Sequence, residues 1–172
     1  MKALIIVDMV KGFIEPETKD GKCALYLPEA KNIIPEVNKH IKESDIIIWA
    51  SDCHDNDDEE FKLYPKHCVG CSDETLVAEG LDLKDKKISL ILKTRFSAFY
   101  KTHLEEILRE KSIKEITLVG VCTDICILFT AADAVMRNIK VNVPEKAVFG
   151  LTKEGHEWAL KYMKTILGVN II

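Results

Sequence analysis

The feature that most constrains this chain is a set of short aliphatic runs with no polar alternation. Ala3-Leu4-Ile5-Ile6-Val7 is the clearest, and Asp45-Ile46-Ile47-Ile48-Trp49-Ala50 and Glu115-Ile116-Thr117-Leu118-Val119-Gly120 are nearly as apolar. A strand with one wet face alternates apolar and polar residues. A strand covered on both faces does not. Lys87–Leu92 and Lys140–Val143 read as third and fifth strands, and Val169–Ile172 as a short last one. Between them the apolar period changes. Ile33, Ile34, Val37 and Ile41 follow helical spacing and predict a helix over 29–43 that bends or restarts at Pro35. Further helices are expected over 73–80, 101–110, 125–136 and 152–166, the last capped by Thr152. Strands alternating with helices at this spacing predict βαβ units and a doubly wound parallel sheet.

Length and charge narrow the function classes. A chain of 172 residues is expected to form one domain, 1–172, and buries enough surface to fold without disulfide or metal. A net charge of −4 with interspersed signs offers no footprint for nucleic acid. No apolar run approaches the length of a membrane span, and Asp8 interrupts the N-terminal run before it could serve as a signal sequence. A cytoplasmic protein is expected, its six cysteines reduced, catalytic or metal-binding.

In open parallel sheets ligands bind beyond the carboxyl ends of the strands. The residues expected there are Asp8 after the first strand, Asp52 and His54 after the second, Lys93 after the third and Cys126 after the fourth. They form two sets. In the first, Cys126 stands on the opening turn of a helix, with Thr123 and Asp124 as candidate caps. A helix N-terminus and a nearby ammonium both favour a thiolate, and a carboxylate in reach can take and return a proton. Asp8, Lys93 and Cys126 are therefore the parts needed to open a C–N bond through a thioester. In the second set, Asp52-x-His54 places two ligands on one face of an extended segment, and His67 joins them from the next loop. Two imidazoles and a carboxylate suit zinc, iron or manganese, with Glu60 or Glu59 as a further carboxylate. A competing site would use Cys53, Cys68 and Cys71, whose Cys-x-x-Cys spacing is that of a zinc ligand pair, although no second pair completes it.

These residues resemble a known family. Asp8, Asp52-Cys53-His54, Tyr64-Pro65-Lys66-His67-Cys68-Val69, Lys93-Thr94-Arg95-Phe96-Ser97-Ala98-Phe99 and Gly120-Val121-Cys122-Thr123-Asp124-Ile125-Cys126 together look like the isochorismatase-like cysteine hydrolases, and within them the nicotinamidases (pyrazinamidases). The resemblance spans nearly the whole chain. Asp-x-His with a downstream Pro-x-His is the more specific mark, because metal-free relatives lack it. It implies Cys126 as nucleophile, Asp8 as general base and acid, and Lys93 as the cation beside the thiolate. Asp52, His54 and His67, with Glu60, would hold one divalent metal, zinc first, that coordinates the substrate's pyridine nitrogen. The amides of Cys122 and Cys126 would form the oxyanion hole, beside a cis Val121–Cys122 bond. Phe13, Tyr64 and Phe96 would line the ring pocket. Cys53, Cys122 and Phe96 stand where the family more often has an aromatic, a small residue and a tyrosine.

The expectation is thus a three-layer α/β/α fold with a mainly parallel six-stranded sheet in the order 3-2-1-4-5-6. Its activity would be metal-dependent hydrolysis of nicotinamide, or a related pyridine or pyrazine carboxamide, to the acid and ammonia. No nucleic-acid or membrane partner is expected, and a homo-oligomer is. Two alternatives stay open: a metal-free relative acting on another small amide or carbamoyl compound, and a non-catalytic zinc or redox module using Cys53, Cys68, Cys71 and Cys122.

Overall fold

The structure, a computed structural model, describes residues 1–70 and 72–172. Six parallel strands run in the order 3-2-1-4-5-6, as the sequence predicts. They are β1 (Lys2–Val7), β2 (Ile47–Asp52), β3 (Ile88–Lys93), β4 (Glu115–Val121), β5 (Lys140–Val143) and β6 (Asn170–Ile171). A short strand Val148–Phe149, absent from the sequence reading, pairs with the end of β4. Outside the sheet, Glu17–Thr18 and Gly21–Lys22 form a small antiparallel ribbon.

The unalternating runs have the expected cause. Successive side chains of a strand point to opposite faces, and here both faces are covered. Leu4, Ile6, Ile47 and Trp49 pack with Val37 and Ile41 of helix α1 (Ile34–Glu43). Ala3, Ile5, Val7, Ile48, Ala50 and Ile91 face the other way. They meet α2 (Leu104–Glu110), α3 (Leu128–Met136) and α4 (Lys153–Thr165) through Leu104, Leu108, Ala131, Ala134, Leu160 and Met163. Each fully buried Leu or Ile contributes about 1.5–3 kcal/mol, so these two layers hold the sheet.

Several local expectations shift. Pro35 starts α1 anew after a 3₁₀ turn at Ala30–Ile33, consistent with its missing amide donor. The helix expected over 73–80 is only a 3₁₀ turn, Asp73–Thr75. The chain from β2 to β3 is instead committed to a long irregular loop. Among the described residues no α-helix lies between β2 and β3, and Leu90 and Leu92, on the face of β3 opposite Ile91, are exposed. Lys11–Ile14 forms an unpredicted helical turn.

Gly120 shows how tightly the central strands approach. It sits at φ 116°, and a Cβ there would lie 2.0 Å from the carbonyl oxygen of Val7. Only glycine tolerates both constraints. Gly120→Ala is expected to lower unfolding free energy by more than about 4 kcal/mol. Denaturant unfolding checks this, and a loss under 1 kcal/mol, about the cost of an ordinary substitution, would contradict it.

Candidate active site

The register of the sheet builds the site. Asp52 and Lys93 are paired positions on adjacent strands. Lys93 shares a face with Ile91, the face on which the Cys126 segment packs. Asp8 follows β1 at φ 52°, a left-handed conformation that Asp adopts more readily than most residues. The bend turns its carboxylate back into the sheet edge, where Oδ1 accepts from the Asp52 amide at 2.8 Å.

Lys93 is the hub. Its Nζ lies 2.8 Å from Asp8 Oδ2, 2.5 Å from Asp52 Oδ1 and 3.5 Å from Cys126 Sγ, and the side chain is wholly buried. The two sets inferred from sequence thus share one ammonium. Burial alone would drive Lys93 to lose its proton, but the Asp52 and Asp8 carboxylates hold its pKa well above the ordinary value. Burial raises Asp8 to about 6, helped by repulsion from Asp52 and opposed by Lys93. Burial also opposes ionisation of Asp52, yet Lys93 and His54 bring it down to about 2.

Cys126 departs from the expectation of a lowered thiol pKa. Burial pushes it well above its usual value, Lys93 pulls it down, and Asp8 and Asp52 push it up again. The resting group is the thiol, next to a carboxylate able to receive its proton. The helix start is also unusual. Thr123–Ile127 is a π-helical turn leading into α3, with the Ile127 amide donating to the Cys122 carbonyl at 3.0 Å. Thr123 and Asp124 do not cap it. Thr123 Oγ1 lies 2.9 Å from His156 Nδ1, and Asp124 Oδ1 accepts from the Leu151 amide at 2.9 Å. Both side chains clasp the 150–156 segment onto the site. Gly155 permits this, since a Cβ there would lie 2.2 Å from Asp124 Oδ2. The Val121–Cys122 bond is cis, as the resemblance implies.

The second set also converges. Ligand atoms of Asp52, His54 and His67 lie within 4.8 Å of one another, and all three residues are buried. His67 Nδ1 donates to the Pro65 carbonyl at 2.8 Å, leaving Nε2 to face Asp52. His54 Nδ1 sits 3.2 Å from an Asp58 carboxylate oxygen, so its Nε2 also faces inward, 3.7 Å from Asp52. Burial lowers the His67 pKa, whereas for His54 burial is outweighed by Asp52 and Asp58, which raise it; a neutral imidazole is the ligand form. Among the described residues, His54 Nε2 and Glu60 Oε2 are buried with no hydrogen-bond partner. Orphaned buried lone pairs are costly unless something binds them. Two imidazole nitrogens and a carboxylate fit a zinc-like divalent ion, while Glu60, expected as a further ligand, lines the same pocket but is not among the groups whose ligand atoms converge within 4.8 Å. Burial and Asp52 raise the Glu60 pKa, opposed by His54, Lys93 and Arg95, whose Nη1 lies 4.0 Å from Glu60 Oε2. Glu59 is exposed and paired with Lys62, so it is not the partner.

A pocket opens above both sets. Phe13, Tyr64 and Phe96 line it together with Asp8, Asp52, Glu60, His67, Cys122 and Cys126. Leu25, Leu27, Ile125 and Leu151 complete the walls and were not anticipated. The first two lie in a loop without periodicity, and Leu151 is brought in by the Asp124 contact. Phe61, also unforeseen, packs 5.3 Å and 5.6 Å from the His54 and His67 rings. The cysteine-based alternative finds no support: among the described residues no metal-ligand group includes Cys53, Cys68 or Cys122, and Cys71 lies outside them.

Comparison with known proteins agrees with this geometry. Residues 2–171 match the isochorismatase domain. The chain belongs to the isochorismatase family. Its relatives include the Bacillus subtilis isochorismatase family protein PncA, 35% identical over 99% of this chain and 98% of that one. Among solved structures it is similar to the pyrazinamidase/nicotinamidase of Streptococcus mutans UA159, with 32% identity, full coverage of both chains and a TM-score of 0.89. It is also similar to the Pyrococcus horikoshii pyrazinamidase solved in complex with zinc, with 32% identity over 99% and 98% of the chains and a TM-score of 0.87. The isochorismatase-family fold therefore carries, in this chain, a thiol, a carboxylate and an ammonium beside three buried groups, Asp52, His54 and His67, close enough together to hold a metal ion. No helix among the described residues is long and apolar enough to cross a membrane.

Proposed function

We propose that this isochorismatase-family hydrolase is a metal-dependent nicotinamidase, releasing ammonia from nicotinamide through a thioester on Cys126. The observation that carries the reading is the Lys93 ammonium held between Asp8, Asp52 and Cys126, which joins the thiol chemistry to the metal-ligand triad. The similarity to pyrazinamidase/nicotinamidase structures, one of them zinc-bound, supports it.

The residues perform the reaction as follows. Phe13, Tyr64 and Phe96 pack around a flat ring and present its carboxamide to Cys126. Asp8 takes the thiol proton as sulfur bonds to the amide carbon. The developing thiolate charge is met by Lys93 and the carbonyl oxygen's charge by the amides of Cys122 and Cys126. Asp8 then returns the proton to nitrogen as the C–N bond breaks, and ammonia leaves. A water that gives its proton to Asp8 attacks the thioester carbon, the C–S bond breaks, and the thiol recovers the proton. Asp52, His54 and His67, with Glu60, would hold the divalent metal, which supplies Lewis-acid coordination that orients the ring nitrogen.

The pocket chemistry favours a neutral aromatic amide over an anionic carbamoyl substrate. Its walls carry three carboxylates, and the ammonium of Lys93 is already engaged by two of them. In a metal-free pocket a carboxylate-bearing substrate would meet that repulsion with no cation among the described lining residues, which weighs against the metal-free carbamoyl alternative.

Ammonia release from nicotinamide and from an N-carbamoyl amino acid tests the reading, on protein as purified, after metal removal and after zinc is restored. Turnover of nicotinamide alone is expected, with kcat/KM falling about 10²-fold or more on metal removal through lost orientation and recovering with zinc. Turnover of the carbamoyl compound and not of nicotinamide would overturn it. Full nicotinamide activity without metal would overturn the metal part.

A further inference from the structure

Asp58 lies on the loop between β2 and the metal-ligand residue His67, and it contacts more of this site than any sequence pattern announces. One carboxylate oxygen faces His54 Nδ1 at 3.2 Å. The other accepts from the Glu60 amide at 2.8 Å, capping the 3₁₀ turn Glu59–Lys62 that carries Glu60. Arg95 Nη1 grips both oxygens at 2.7 and 3.0 Å, and Arg95 also donates to its neighbour's carbonyl, that of Thr94. The Asp58 side chain is buried although it sits on a loop.

We propose that Asp58, clamped by Arg95, is the positioning residue of the metal centre, fixing the His54 tautomer and the placement of Glu60 together. This rests on the metal reading above. An ionised carboxylate can only accept, so His54 Nδ1 must carry the ring proton. In the neutral ring the Nε2 lone pair then faces Asp52 and His67, which is the form a cation requires. The same carboxylate sets the backbone of Glu60, whose Oε2 is also buried without a hydrogen-bond partner, 4.0 Å from Arg95 Nη1. Arg95 is two residues beyond Lys93, so the loop after β3 supports both halves of the site, through Lys93 on the thiol side and through Arg95 on the metal side.

Asp58→Asn separates this role from simple loop capping. The amide oxygen still caps the Glu60 N–H, but the amide nitrogen is then turned to His54 and can only donate. His54 Nδ1 becomes the acceptor and the proton moves to Nε2, closing the ligand position. Zinc is titrated into metal-stripped protein against a chromogenic chelator. The expected result is a Kd about 10–100-fold weaker than wild type, with the zinc-free unfolding midpoint little changed. Wild-type affinity in Asp58→Asn overturns the inference while leaving the metal reading intact. No zinc uptake by wild-type protein defeats the metal reading and this inference with it. Should Asp58→Asn fail to fold, ring-nitrogen NMR of zinc-bound wild-type protein decides. A retained proton on His54 Nδ1 supports the role, and zinc on Nδ1 overturns it.

Discussion

Cys126→Ala protein is expected to release ammonia from nicotinamide at least about 10⁴-fold more slowly than wild type, the scale seen when the nucleophile of a covalent mechanism is removed. The sulfur is 3.5 Å from the Lys93 ammonium and beside Asp8, a contact that itself lowers the Asp8 pKa. Cys122 also lines the pocket, but the sulfur that the Lys93 ammonium reaches is that of Cys126, so Cys122 does not inherit the role. The fold should survive, since Cys126 is a small side chain in a cluster of two dozen buried residues. A residual rate within tenfold of wild type would remove Cys126 from the mechanism.

The second large effect is expected from Lys93→Met. Methionine fills much of the volume, yet it leaves Asp8 and Asp52 facing each other across the buried edge of β1–β3 without a cation. Removing one partner of a buried ion pair costs about 3–5 kcal/mol, because the remaining charge stays desolvated. Turnover should fall about 10³-fold or more, as for loss of one preorganised electrostatic group. Denaturant unfolding of Lys93→Met beside the ammonia assay checks both. Wild-type stability would show that Lys93 is not the hub of the site, whatever happens to the rate.

The parallel strands and the identity of the reacting groups are legible because they follow from local rules, whereas the strand order comes with the family resemblance. Unalternating runs mean strands buried on both faces, and parallel sheets place ligands at carboxyl ends. That logic brought Asp8, Asp52, Lys93 and Cys126 to one edge. It did not show that Asp52 and Lys93 are register partners, because register depends on long-range pairing. It therefore treated as separate two sets that share one ammonium. Thr123 and Asp124 look like helix caps in sequence because their oxygens suit that task. In the fold those oxygens are taken by His156 and Leu151, and the helix opens with a π turn instead. The thiol pKa went the wrong way for a related reason: a helix start and a lysine are visible in sequence, but full burial between two carboxylates is not. In sequence Asp58 is one of a run of loop acids, and only the folded loop distinguishes it from exposed Asp55 and Asp57.

Opening of the amide by Cys126 itself leaves an acyl group that an acid-quenched single turnover captures. Wild-type protein is mixed with a slight excess of nicotinamide, quenched early and digested for peptide mass analysis. A nicotinoyl group on the peptide containing Cys126, forming and decaying at rates compatible with turnover, is the predicted result. Steady ammonia release with no acyl group on Cys126 at any time, and unchanged release by Cys126→Ala, would contradict it.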